Sequence, residues 1–339
     1  MDIKTFIAVG ENIHCTRILK VGGKSVRTEE NGAAVIDYTS GDKKRTLAVP
    51  SVFTDGADWQ NGKVRHCAVA IWQGLNGDSE GQSAGADYLR SLARKQEAHG
   101  AAWLDVNVDE YSPDIDERAR AMKWAVPVVQ EAVRVPISVD SSAPEALEAG
   151  LESCLQERGQ PLVNSVSLER PESIALARRF RACVIASAAG TAGLPSTAQE
   201  RIVNLEQLIP MLKEAGLSLG EIHVDPLVLP ISVDSQNGQR FLEAVRAVRE
   251  RFGTEIHIVA GLSNVSFGMP RRSLINRVFS WLAVEAGADG GIVDPAQINL
   301  EALRSMDTSS EGFQHARALL LGEDEFGMEY ISACREGKI

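Results

Sequence analysis

The chain has 339 residues, 44% of them apolar, and a formal net charge of −11. That length carries one large α/β domain or two ordinary ones, and the apolar fraction suffices for a substantial core. The acidic balance excludes nucleic acid or an anionic membrane as the principal partner, because both demand clustered Lys and Arg. Cys15, Cys67, Cys154, Cys183 and Cys334 lie far apart with no CxxC pair, which argues against a zinc site or a disulfide framework and for reduced thiols in the cytoplasm. The opening MDIKTFIAVGENIH lacks the apolar core of a signal peptide, and no apolar run approaches membrane-spanning length.

In chain order, the first predicted strand is FIAVGE at 6–11. Residues 17–84 separate it from its helix, and within them VRTEENGAAVIDYTSGDKKRTLAVP holds two alternating runs about the turn signal SGDK, predicting an inserted β-hairpin or small β subdomain. From 85–99 onward helical patterns alternate with short β-rich runs. The strands are predicted at 101–107, 135–140, 161–165, 182–187, 221–225, 255–261 and 289–294, and the helices at 114–132, 143–156, 171–180, 198–215, 236–251 and 271–286, with a last helical region after 298. Gly100, Gly150, Gly216 and Gly287 each stand where a left-handed cap would end a helix. Eight strand-helix units predict a (β/α)8 TIM barrel with a β-rich insertion after the first strand, one domain over 1–339. A doubly wound open sheet is the competing architecture.

Polar groups recur where these strands end: Glu11, then Asp105 and Asn107, Asp140, Asn164 and Ser165, Asp225, and Asn264. Any one of them could be a helix cap or turn residue. As a set at one end of a barrel they predict a shared polar cavity, since unpaired polar groups are costly in a core. The set holds carboxylates and carboxamides, with no His triad, no Ser-His-Asp order and no Cys nucleophile in a recognisable setting. Such groups can read the amide and N–H edge of a flat heterocycle such as a pterin. The loop AAGTAGLP at 188–195 lacks phosphate-loop spacing and is expected to be a mobile cover over that cavity.

The segments GENI, DVNVD, ISVDS, LVNSVS, HVDPLVLP and GLSNVSFGMPRRSLINRVF, in order along the chain outside 17–84, resemble the pterin-binding methyltransferases. These move a methyl group between 5-methyltetrahydrofolate and a corrinoid, and include the folate domain of cobalamin-dependent methionine synthase. The resemblance implies that Asp140, Asn164 and Asp225 hold the pterin ring, that Asp105 and Asn107 line the same cavity, and that Glu11 and Arg272 are further members. It implies that Asn264 reaches N5, the atom carrying the methyl. Dihydropteroate synthase shares the barrel, but its Ser-Arg-Lys signature is replaced here by Ser263-Asn264-Val265. This chain departs from the family pattern in carrying His14 where Asn is common, Asp109 where Gly is common, and the insert; His14, Asp109 and Ser165 are candidate additional lining. No D-x-H-x-x-G segment is present to hold cobalamin, so the resemblance implies a separate corrinoid protein as partner, tetrahydrofolate or 5-methyltetrahydrofolate as substrate, a homodimer, and no protein-bound metal. Two other functions fit the same residues: a cobalt-free pterin enzyme akin to dihydropteroate synthase, and a non-catalytic folate-binding subunit of a demethylase complex.

Overall fold

The structure, a computed structural model, describes residues 3–191 and 193–339. In chain order the strands are β1 (Ile7–His14), β2 (Ile18–Lys20), β3 (Val26–Thr28), β4 (Ala34–Ser40), β5 (Lys43–Ala48), β6 (Lys63–Arg65), β7 (Ala101–Asn107), β8 (Ile137–Asp140), β9 (Leu162–Val166), β10 (Cys183–Ser187), β11 (Ile222–Asp225), β12 (His257–Ala260) and β13 (Gly290–Val293). Strands β1 and β7 to β13 form a closed barrel in the order β1-β13-β12-β11-β10-β9-β8-β7. The open-sheet alternative is thereby excluded.

The helices are α1 (Ser51–Thr54), α2 (Ala57–Gln60), α3 (His66–Asn76), α4 (Ser79–Ala98), α5 (Ile115–Gln130), α6 (Pro144–Glu152), α7 (Ser173–Phe180), α8 (Ala198–Glu214), α9 (Asn237–Phe252) and α10 (Arg272–Ala286). Three more, α11 (Leu300–Arg304), α12 (Glu311–Leu320) and α13 (Met328–Arg335), make up the final helical region. Their starts follow from side-chain caps that satisfy otherwise orphaned N–H groups: Asp114 accepts from Asp116 and Glu117, and Thr197 forms a reciprocal capping box with Glu200. No helix among the described residues is long and apolar enough to cross a membrane.

The predicted hairpin is present as β4 and β5, paired antiparallel across a turn in which Gly41 takes φ +58°. A third strand, β3, extends this sheet, and β2 pairs with β6 in a separate ribbon. Helix α3, absent from the sequence reading, follows. Seven of its eleven residues, HCAVAI and Gln73, are buried; a helix covered on most sides shows no amphipathic period to detect.

Three expectations need correction. Strand β1 runs on to His14 rather than ending at residue 11, so His14 belongs to the strand. Helix α6 stops at Glu152 rather than 156, and Gly150 lies inside it instead of capping it. A Cβ at Gly150 would stand 2.4 Å from Val139 and 2.8 Å from Met122, so that glycine lets α6 approach β8 and α5 closely. Gly100, Gly216 and Gly287 do follow their helices with φ of +86°, +99° and +114°. Of the loop 188–195, residue 192 lies outside the described residues, and the expectation of a mobile cover falls partly on it.

The chain divides into two compact units, one comprising residues through Val9 together with Val163–Ile339, the other Gly10–Leu162. Each contributes its own group of strand-end residues.

Candidate functional site

In the unit Gly10–Leu162, alternation along β7 sets Leu104 on the side of Gly10 and Gln96 and turns Asp105 and Asn107 to the opposite face. Parallel pairing of β7 with β8 aligns Asn107 with Asp140 and Asp105 with Ser138. The Asn107 amide is locked at both ends: its Nδ2 donates to Asp140 Oδ2 at 3.0 Å, and its Oδ1 accepts from the Asp109 N–H at 3.0 Å. His14 Nε2 bonds to Asp105 Oδ2 and lies 3.7 Å from Asp140 Oδ2. Asp105 is fully buried.

This cluster holds protons. Burial opposes charge on His14, but the bond to Asp105 and the charges of Asp105, Asp140 and Glu11 outweigh it and raise its pKa. Burial, followed by repulsion from Asp105, raises Asp140 to about 8, against the lowering effects of His14 and Asn107. The ligand atoms of His14, Asp105 and Asp140 all lie within 4.8 Å of one another, a spacing that could span a cation. Asp109 leaves this cluster: it accepts from Ser141 Oγ at 2.5 Å and Ser142 N at 2.7 Å, tying the loop after β7 to the loop after β8. Glu11 Oε1 pairs with Arg17 at 2.5 Å.

In the other unit, Asp225 ends β11 and its Oδ1 accepts from the Leu227 N–H at 2.7 Å. The Gly261 N–H donates to the same carboxylate, yet burial dominates and raises Asp225 to about 6. Gly261 opens the 3-10 turn Leu262–Ser266 that carries Asn264, whose side chain is exposed. A Cβ at Gly261 would come within 3.0 Å of Asn264 Nδ2. Gly261 therefore joins the acid and the amide, donating to one while leaving room for the other. Arg272 braces this turn, donating to Ser266 Oγ at 2.9 Å and Ser263 O at 3.0 Å with its guanidinium 4.5 Å over the Phe267 ring. Asn164 and Ser165 lie on β9, joined by a cis peptide, and Ser165 Oγ accepts from Arg170 at 3.0 Å.

Arg201 was missed by the sequence reading. It is 1% exposed and donates through Nε to Pro226 O at 2.5 Å and through Nη2 to Leu227 O at 3.4 Å. It thus holds the loop behind Asp225, where Leu227 takes φ +69°, and its charge lowers the Asp225 pKa. The available signal was a cation at the head of the apolar stripe Arg201, Leu205, Leu208, Leu212.

A barrel with carboxylates and carboxamides at the ends of its strands matches a known family: the pterin binding enzyme model fits residues 78–294, and the chain belongs to that family. Within it, the chain is 32% identical over 257 residues to the methylcorrinoid:tetrahydrofolate methyltransferase of Eubacterium limosum, covering 74% of this chain and 89% of that protein. The fold is also that of Xanthomonas albilineans dihydropteroate synthase in complex with 7,8-dihydropteroate, at 15% identity over 90% of this chain and 93% of that one, with a TM-score of 0.54. The same enzyme bound to indole-2-carboxylic acid and 6-chloroguanine matches with a TM-score of 0.52 at 18% identity, covering 67% of this chain and 86% of that one.

Proposed function

We propose that the protein is a methyltransferase that moves a methyl group between N5 of tetrahydrofolate and the cobalt of a corrinoid carried on a separate protein, in either direction. The similarity to the Eubacterium limosum methyltransferase supports the reaction, and Ser263-Asn264-Val265 sets the chain apart from dihydropteroate synthase. In this reading Asp140 and Asp225 accept the pterin's N–H groups, Asn164 meets its polar edge, and Asp105, Asn107, Glu11 and Arg272 complete the lining. His14, Asp109 and Ser165 support it. The corrinoid supplies a cobalt centre that accepts or donates the methyl. The protein acts in the cytoplasm as a homodimer and needs no metal of its own.

The observation that carries the reading is Asn264, exposed on a turn whose opening Gly261 donates to the half-buried Asp225. As the methyl leaves N5, the C–N electron pair stays on nitrogen, which must gain a proton or a strengthening hydrogen bond. An amide is a poor acid but a good neutral donor, so Asn264 steadies the nitrogen with a hydrogen bond while the proton arrives from water. A bond that strengthens in the transition state lowers the barrier, whereas uniform binding does not. The test is a spectrophotometric assay with methyltetrahydrofolate and Co(I) cobalamin. Asn264→Ala should lose about 10²–10³-fold in rate with little change in folate affinity. Equal rates in parent and variant would remove Asn264 from the chemistry.

A further inference from the structure

Within the unit Gly10–Leu162, the insert and the exposed face of α4 enclose a cavity of about 820 Å³, in the range of small-molecule sites. Three cations line it, Arg17, Arg94 and Lys95, on a chain whose net charge is −11. The single acid in the lining, Asp37, is already engaged by Arg27 at 2.9 Å. Arg17 pairs with Glu11, while the Arg94 and Lys95 side chains are exposed and make no ion pair among the described residues. The rings of Tyr38 and Tyr88, edge to face at 4.9 Å, add an aromatic wall.

His66 provides an independent pointer to a ligand. It lines the cavity yet is only 8% exposed. Burial lowers its pKa to about 4 and raises that of Tyr88, so both are neutral. The Tyr88 hydroxyl lies 3.0 Å from His66 Nδ1, and Nδ1 is the one acceptor that the buried phenol has among the described residues. The phenol therefore donates to Nδ1, and the imidazole proton sits on Nε2. That N–H has no protein partner among the described residues. A neutral donor at the base, an aromatic wall and free cations at the rim match a flat ring that carries carboxylates.

We propose that this cavity binds an aromatic polycarboxylate of the p-aminobenzoyl-oligoglutamate class, its ring against Tyr38 and Tyr88, a carbonyl on His66 Nε2, and its carboxylates at Arg94 and Lys95. Naming the tail of the folate itself as the source rests on the methyl-transfer reading; the chemistry of the cavity does not. The probe is p-aminobenzoyl-triglutamate, titrated calorimetrically into the full chain at low and at 0.3 M salt. Binding should weaken with salt, and the exposed double variant Arg94→Ala/Lys95→Ala should bind about tenfold less tightly. His66→Phe should also bind less tightly but lose no salt dependence. No binding by the parent, or parental binding by the double variant, overturns the proposal.

Competition identifies the source. Displacement of the probe by tetrahydrofolate triglutamate and not by the monoglutamate assigns the cavity to the folate's own tail, whereas simultaneous binding of both assigns it to a free aromatic polycarboxylate. Either result upholds the cavity. Methyl transfer with the monoglutamate tests the functional reading separately: transfer without probe binding defeats the cavity alone, and probe binding without transfer defeats the functional reading alone.

Discussion

Replacing Arg201 with methionine separates the support of Asp225 from the packing of α8. Methionine fills much of the arginine stem but donates nothing, so the buried carbonyls of Pro226 and Leu227 lose their partners. Hydrogen bonds to a charged group contribute about 1.5–3 kcal/mol each, with the 3.4 Å bond at the low end, so the loss is about 4 kcal/mol. Leu227 meanwhile keeps a left-handed backbone that costs roughly 1–2 kcal/mol and has lost its clamp. Relief comes from removing a buried guanidinium whose Nη1 has no hydrogen-bond partner, about 1–2 kcal/mol. The net destabilisation is about 2–3 kcal/mol, a fall in Tm of about 3–4 °C for a chain of this length.

The functional signature of the same variant is distinct. Without the Arg201 charge, the Asp225 pKa climbs above its present value of about 6, and less carboxylate is available at neutral pH. Tetrahydrofolate titrations from pH 5.5 to 8 should show weaker binding, with the midpoint of the pH dependence shifted upward. Arg201→Lys restores the charge without the two-pronged grip, so it should return the midpoint toward that of the parent while Tm stays low. A methionine variant with the parental midpoint would refute the coupling of Arg201 to Asp225.

Free of ligand, Asp140 and Asp225 are held above the unfolded aspartate value, at about 8 and about 6. The folded chain therefore binds protons more tightly than the unfolded one, and its stability should decline as pH rises from about 4 to 8, measured by denaturant midpoints. A pterin N–H needs the carboxylate form, so tetrahydrofolate binding should expel protons at pH 7; equal uncorrected calorimetric heats in phosphate and Tris, whose ionisation enthalpies differ, would rule this out. His14→Gln removes the positive neighbour of Asp140 and should raise that pKa further, moving the binding profile to higher pH; an unmoved profile would detach His14 from Asp140. Gly150→Val should destabilise the fold by several kcal/mol through collision with Val139 and Met122, and a parental Tm would show that α6 shifts without cost. Exhaustive EDTA treatment should leave tetrahydrofolate affinity unchanged, and a loss of affinity restored by a divalent cation would assign a metal to His14, Asp105 and Asp140.

The barrel strands were legible because each is a short β-rich run between amphipathic helices, and Asp105, Asn107, Asp140, Asp225 and Asn264 stood out as polar interruptions at their ends. What escaped detection was set by tertiary contact. Helix α3 is covered on most sides and presents no periodic stripe. Gly150 looks like a cap, and only the proximity of Val139 and Met122 reveals it as a spacer. Arg201 sits on an apolar stripe for the sake of two carbonyls on another element, a partnership that local pattern does not encode. His14 belonged to a strand whose end the sequence placed three residues early, which hid its reach to Asp105.

The excursion that begins after His14 and returns at His66 leaves and rejoins the main scaffold at one strand-to-helix connection. Among the described residues its own sheets pair only among themselves, so lengthening, trimming or exchanging it would shift the alignment of none of the eight barrel staves. Selection could thus remodel this appendage to suit new molecules while the catalytic framework stayed as it was.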